Sequence, residues 1–414
     1  MPGPAEPTPR VRRLTLTACL LGWMFDGMDF MVVALLAKPI AAEFGVSYLT
    51  FGLLALLPTK LAAAAGGIAL GSVADRFGRR NVLAWSILLY AGATGAAAFA
   101  PDILTFALLR AVAGIGLGAE WAVGFALLNE VAADPHRRGL LGGLTESLFA
   151  AGYILASLLV TFVGPVFGWR GVLLAAAFPA LLVVPIRRLV PESSQWAQEA
   201  GAVGEGRLAD LLGQSRGIAL RILAVTTAGM FAVWLVVDWL PTFLADEGYS
   251  ATIVGIVPPI LGLTGGAATF AAGALSDRWG RRRTVVRFAV LGVLAMAVFA
   301  VSLAYPGPLL VASMVLFGCS LGFFGVFGAW FGELLPTRVR ATGLAFAYNG
   351  GRAIAALAGV LVPLAALGGS LGAGMALSLL AFLALALLAF RVPEGRPPRR
   401  APAGTPVASY PQPR

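Results

Sequence analysis

The sequence predicts an all-α membrane protein of about twelve spanning helices, arranged as two six-helix bundles related by an internal repeat. Three observations predict it. Of 414 residues, 59% are hydrophobic and only 12% are charged, where a soluble domain carries about 25% charged and 45–50% apolar residues. The apolar residues gather in runs of about 20, the length that crosses a bilayer as a helix. Three separate sequence elements also recur at an offset of 202 or 203 residues, which marks a duplication.

The runs fall near 14–37, 49–73, 82–100, 103–128, 140–163 and 170–189, then near 217–244, 251–275, 284–304, 308–332, 341–366 and 370–390. Backbone amides in lipid must bond within their own segment, and these runs are far longer than barrel strands, so they are helices. Arg10, Arg12 and Arg13 precede the first run as they would a signal peptide. Asp26 and Asp29 interrupt that run, however, and no small-residue cleavage site follows, so a retained helix is expected.

The net charge is +10, and 25 of the 30 Lys and Arg residues lie in alternate connections on one side, against Lys38 and Arg170 on the other. This asymmetry places both termini in the cytoplasm. The basic excess is thereby accounted for by topology, and nucleic acid is not expected as a partner. The expected layout is a cytoplasmic tail at 1–13, bundles at 14–189 and 217–390, a cytoplasmic linker at 190–216 and a disordered cytoplasmic tail at 391–414. Cys19 and Cys319 are isolated thiols and His136 is the sole histidine, so no disulfide framework, metal site or histidine-based triad is expected. Without a phosphate loop or nucleophile–base pair either, no enzyme and no cofactor is implied.

Gly71-Ser-Val-Ala-Asp75-Arg76-Phe-Gly78-Arg79-Arg80 recurs as Gly273-Ala-Leu-Ser-Asp277-Arg278-Trp-Gly280-Arg281-Arg282. Glu130 and Arg137 recur as Glu333 and Arg340, and Pro191-Glu192 as Pro393-Glu394. The paired G-x-x-x-D-R-x-G-R-R, E-x6-R and PE elements resemble the signature of the major facilitator superfamily, over essentially the whole chain. The resemblance implies two parallel six-helix halves that rock around a substrate site at their interface near the bilayer midplane. It also implies that Gly71, Asp75, Arg76, Gly78, Arg79, Glu130, Arg137, Asp277, Arg278, Gly280, Arg281, Glu333 and Arg340 form a cytoplasmic gate. Gly71 and Gly273 would let helix ends approach, and Asp75 and Asp277 would meet helix termini or arginines.

Eight ionisable residues fall inside spans: Asp26, Asp29, Lys60, Arg110, Glu120, Glu146, Asp238 and Arg352. Each costs about 2.5–3.5 kcal/mol if it faces lipid unpaired, so they should face the bundle interior or one another. Asp26, Lys60 and Arg352 lie near the midplane, with Asp29 and Arg110 slightly outward. Glu120 and Glu146 lie nearer the cytoplasmic ends and Asp238 nearer the outer end, where interfacial or latch roles are open alternatives. Asp26 and Asp29 are three residues apart on one helix face, an arrangement of like charges that suits a group taking up and releasing a proton. Arg110, Gly114 and Gly118 share a face of the fourth helix, where the small residues allow close packing while Arg110 reaches across.

Asp26-Gly-Met-Asp29 resembles the DGxD element of aromatic-acid/proton symporters. Gly118-Ala-Glu120-Trp121 resembles the GGEW of the sialate/lactate branch, with Ala119 in place of a glycine. Asp26, Asp29, Arg110 and Glu120 are accordingly the candidates for proton coupling. As ionised groups the eight sum to −2, which an anionic substrate would worsen and an accompanying proton would relieve. Lys60 and Arg352, without an evident local partner, are the candidates for gripping a carboxylate, with Tyr348, Asn349 and Trp234 completing the substrate site. A snorkelling role for Lys60 is the alternative.

The reading is a monomeric, proton-coupled symporter of a small organic acid, a monocarboxylate or aromatic acid, in the cell's inner (plasma) membrane. A sugar/proton symporter, a drug/proton antiporter and a membrane sensor that binds a metabolite without moving it are the alternatives. The charge asymmetry yields a first test. A reporter that works only inside the cell, fused after Arg414, is expected to be active; activity only of a reporter that requires export would reverse the topology.

Overall fold

A computed structural model describes residues 9–131, 138–182, 211–213, 215–305, 307–336, 339–367 and 369–395, and every element among them is helical. Most of the 190–216 linker and of both tails lies outside the described residues. The first span is Pro9–Leu35. The second starts as Tyr48–Phe51, passes through a wide π turn at Gly52–Leu56 and continues as Leu57–Phe77. In that turn the Leu57 amide reaches back five residues to the Gly52 carbonyl, and Pro58, which has no N–H, follows at once. The third and fourth spans are Arg79–Ala97 and Ile103–Val131.

Ten stretches among the described residues are long and apolar enough to cross a bilayer. One of them, Gly142–Leu181, is 40 residues long and holds two crossings. Gly168, at φ 65°, breaks the helix Arg138–Ala176 into the fifth span and the start of the sixth. Arg79–Ala97, at 19 residues, adds the third span, and the total is about twelve. The second half follows as Arg216–Val237, Ala251–Trp279 and Arg281–Ala304 for the seventh to ninth spans. The tenth combines Pro308–Ser320 and Phe324–Leu334, the eleventh Arg340–Ala355 and Ala358–Ala365, and the twelfth Leu371–Ala376 and Ser378–Phe390.

The repeat persists in the backbone. Gly78 (φ 95°) and Gly280 (φ 88°) turn the chain between the second and third spans and between the eighth and ninth. Only glycine holds such angles without strain, which is why the second glycine of each motif is required. Gly45 and Gly248, 203 residues apart, make the equivalent turns on the other face (φ 64° and 76°). On that face Glu43 clamps the fifth–sixth turn, accepting a bond from Trp169 Nε1 at 2.5 Å and pairing with Arg170, which also donates to the Ala100 carbonyl. These partners hold the Glu43 carboxyl below the usual carboxylate range, the Arg170 hydrogen bond first among them.

Glycines set the helix spacing. A Cβ on Gly114 would lie 2.3 Å from the Thr59 carbonyl oxygen, and one on Gly118 only 1.7 Å from that of Ala63, so the second and fourth spans touch backbone to backbone as the i, i+4 spacing predicts. The first and fifth spans meet likewise, where a Cβ on Gly152 would lie 2.0 Å from the Met24 carbonyl oxygen. Gly118→Val must push the second and fourth spans apart. It is expected to cost about 3 kcal/mol or more by overpacking, seen as a marked fall in the unfolding temperature of the detergent-purified protein, whereas Gly92→Val, which meets nothing within 4 Å, is expected to leave it nearly unchanged.

Candidate substrate and proton site

The two aspartates of the first span are both fully buried, yet their surroundings differ. Asp29 is saturated: Arg110 Nη2 donates to Oδ2 at 3.0 Å, and the Thr94 hydroxyl donates to Oδ1 at 2.5 Å. Arg110 Nη1 also donates to Thr94 at 2.6 Å, closing a ring that ties the first, third and fourth spans. Thr94 carried no signal in the sequence, since a lone threonine in an apolar span is unremarkable by pattern. Asp26 has no hydrogen-bond partner on either oxygen among the described residues. It lies within Coulombic reach of Arg352 and Asp29. Glu120 is also buried with neither oxygen bonded among the described residues, and a Cβ on Gly22 would lie 2.0 Å from its Oε1.

Between the two halves lies a cavity of about 90 Å³, room for a small solute or several waters. Its walls are aromatic and apolar, with Phe30, Phe149 and Trp234 among them, and its polar lining includes Glu146, Tyr348 and Arg352. Arg352 is buried, its guanidinium 5.0 Å from the Phe30 ring and 5.1 Å from the Tyr348 ring. Its Nε and Nη1 donors have no hydrogen-bond partner among the described residues. A buried guanidinium with donors left over is the arrangement that an anion satisfies.

Four placements differ from the sequence reading. Lys60 has a partner after all: it pairs with Asp238 of the opposite half, stands 4.0 Å from the centre of the Trp234 ring and does not line the cavity. Asp238 is accordingly a buried partner in that pair instead of an interfacial residue. Asn349 is buried against Gly67 of the second span, where a Cβ would lie 2.8 Å from its side-chain oxygen. Glu146, read as nearer a helix end, lines the cavity instead. Trp234, Tyr348 and Arg352 line the cavity.

On the arginine-motif face the described ion pairs belong to the second half. Arg281 bridges Asp277 at 2.7 Å and Glu333 at 2.9 Å, and the Arg282 amide donates to Glu394 at 2.9 Å. Gly280 supplies the turn, and Arg278 is exposed. The expected counterparts Gly71, Asp75, Arg76, Arg79, Glu130, Arg137 and Arg340 have side chains that lie outside the described residues. The halves approach on the same side where Gly143, with a notional Cβ 3.0 Å from the Thr269 carbonyl oxygen, meets the eighth span. On the opposite face they are joined by Lys38–Asp246 at 2.6 Å, by the Tyr48 hydroxyl donating to Asp246 at 3.2 Å and by Lys60–Asp238.

The contrast between the two aspartates sets a stability test. Asp29→Asn leaves Arg110 buried without its countercharge and is expected to destabilise by about 3–5 kcal/mol. Asp26→Asn removes an unsatisfied carboxylate and is expected to be neutral or stabilising. Thermal unfolding of both purified variants checks the order, and an Asp26→Asn protein less stable than Asp29→Asn would reverse the assignment.

The profile of the Major Facilitator Superfamily matches residues 18–360. The probable 4-methylmuconolactone transporter of Cupriavidus pinatubonensis is 30% identical over 93% of this chain and 91% of its own. The niacin transporter NiaP of Acinetobacter baylyi is 29% identical over 83% of this chain and 84% of its own. Among solved structures, the xylose transporter XylE from E. coli in a partially occluded inward-open conformation superposes with a TM-score of 0.77, at 20% identity, over 92% of this chain and 98% of that one. The duplicated helical bundle, the charges turned inward around a cavity between the halves and these relationships agree: the chain is a multi-pass membrane transporter belonging to the major facilitator superfamily.

Proposed function

We propose that the protein is a proton-coupled symporter of a small organic acid, a monomer in the plasma membrane with both termini in the cytoplasm. One observation carries the reading: Arg352, which lines an aromatic-walled cavity between the halves, keeps two buried donors without a partner among the described residues. A planar carboxylate fits both features, its oxygens on the guanidinium and its apolar body against the rings. The names of the relatives support it, since niacin is a pyridine carboxylate. A sugar would need several amides and hydroxyls, and the candidate amide, Asn349, packs against Gly67 outside the cavity.

Coupling follows from charge balance. Asp26 lies within Coulombic reach of Arg352. An arriving carboxylate takes over the guanidinium, and the Asp26 carboxylate, left without compensation in a dry interior, takes a proton. Anion and proton together leave the interior charge unchanged, which favours the loaded carrier's passage through the occluded state. Asp29 stays locked to Arg110 and Thr94 and orients the first span. The cavity continues toward the arginine-motif face through a smaller space that it shares at Glu146, Phe324 and Tyr348. The opposite face is sealed, so the conformation leans inward.

Asp26→Asn is expected to abolish accumulation driven by an imposed pH gradient in proteoliposomes while leaving counterflow exchange intact, because an amide binds but releases no proton. Uphill uptake that survives in Asp26→Asn would move the coupling role to Glu120 or Glu146. Thermal shifts with a panel of carboxylates, sugars and cationic drugs test the substrate class, and stabilisation by sugars or cations alone would overturn it.

A further inference from the structure

The ion pair between Lys60 and Asp238 is not used by the mechanism above, and its position is unusual. Lys60 is on the second span and Asp238 ends the seventh, so the pair crosses from one half to the other. Their side chains are only 4% and 2% exposed. The ammonium lies over the Trp234 ring, which itself lines the central cavity, so the pair stands behind Trp234, between the cavity and the outer face. Beside it the backbones of the halves touch. A Cβ on Gly52 would lie 2.2 Å from the Gly359 carbonyl oxygen, and one on Gly359 would lie 3.6 Å from Asp238 Oδ2. One layer farther out, Lys38–Asp246 repeats the same polarity, with the cation on the first half and the carboxylate on the second, at 42% and 34% exposure.

The geometry points to Lys60–Asp238 as the outer gate, with Lys60 as the first buried site that an incoming carboxylate meets once the gate parts. This deepens the organic-anion reading and rests on it. When the halves separate on this face, Lys60 stays on one wall of the opened cleft and Asp238 leaves with the other. An ammonium stripped of its countercharge and backed by an indole ring is completed by an anion, which takes the place of the departed carboxylate. An uncharged molecule of the same shape offers no such replacement, so the gate itself discriminates for charge before Arg352 is reached. Among the described residues, the other charged or titratable groups coupled to the pair are Arg352, which acts on Lys60, and Tyr153, on which Asp238 acts. A second cation on the cavity side, Arg352, adds to the attraction and draws the anion inward.

The test uses the full chain in proteoliposomes, with Cys19→Ser and Cys319→Ser as background and nitroxides on Ala42→Cys and Leu367→Cys. These positions are exposed on the rims of opposite halves, and pulsed electron–electron double resonance reads the distance between them. Asp238→Asn is expected to raise the longer-distance population on the order of tenfold, as loss of one member of a buried pair implies. The exchanged pair, Lys60→Asp with Asp238→Lys, is expected to restore the short distance. Benzoate is expected to raise the longer-distance population of the parent protein where benzamide, its uncharged analogue, does not. Both Lys60→Gln and the exchanged pair should lose that response. Unchanged distances in Asp238→Asn, or an exchanged pair that stays open, would overturn the gate. Equal responses to benzoate and benzamide, or a benzoate response that survives in Lys60→Gln, would overturn the anion site. Because these distances are read without transport, failure here leaves uptake of organic acids standing, and failure of uptake leaves the gate standing.

Discussion

A charge held where water does not reach must have a partner, a proton or a ligand, and the interior of this protein is organised by that constraint. Among the described residues some buried ionisable groups have a partner and others have none. Asp29 and Arg110 have each other and Thr94. Lys60 and Asp238 have each other across the two halves. Asp26, Glu120 and part of the Arg352 guanidinium lack hydrogen-bonded partners among the described residues, and of these three Arg352 lines the cavity between the halves. The paired groups hold helices in place, while under the proposed mechanism the unpaired ones are where charge arrives and leaves. A saturated and an unsaturated carboxylate thus stand three residues apart on one helix.

The architecture was legible in the sequence because its causes are local or periodic. Span length follows from bilayer thickness, and the close contact at Gly114 and Gly118 follows from helical spacing. The duplicated motifs placed Gly78 and Gly280 in equivalent positions before any backbone angle was known. The reach of Arg110 to the first span was legible too, since a buried arginine opposite an aspartate pair has few other resolutions. Lys60 was misread because its partner is 178 residues away in the other half, and nothing in the local pattern reports which faces two bundles turn to each other. The same blindness hid Asn349, whose neighbour is a glycine on the second span, and the cavity-lining position of Glu146, which depends on how the fifth and tenth spans cross. Intra-helix patterns say which side faces inward, but not what waits there.

The described contacts on the two faces differ. On the arginine-motif face they include the charged network of Asp277, Arg281, Glu333 and Glu394 in the second half and the close approach of Gly143 to the eighth span. On the other face ion pairs cross the seam between the halves, at Lys38–Asp246 near the surface and at Lys60–Asp238 in the buried interior.

The wide turn at Gly52–Leu56 carries a consequence for register. A π turn holds one residue more than the α-helical path it replaces, and each residue of an α-helix advances the azimuth by about 100°. That extra residue lies between Tyr48, which bonds Asp246, and Lys60, which bonds Asp238. Deleting a single residue within the turn would straighten the second span, yet it would swing Tyr48 a quarter-turn or more away from its present bearing relative to Lys60. Both contacts with the opposite half could then no longer be made at once. The local irregularity is what lets one helix address two carboxylates stacked along the same seam, and a more regular helix would serve only one of them.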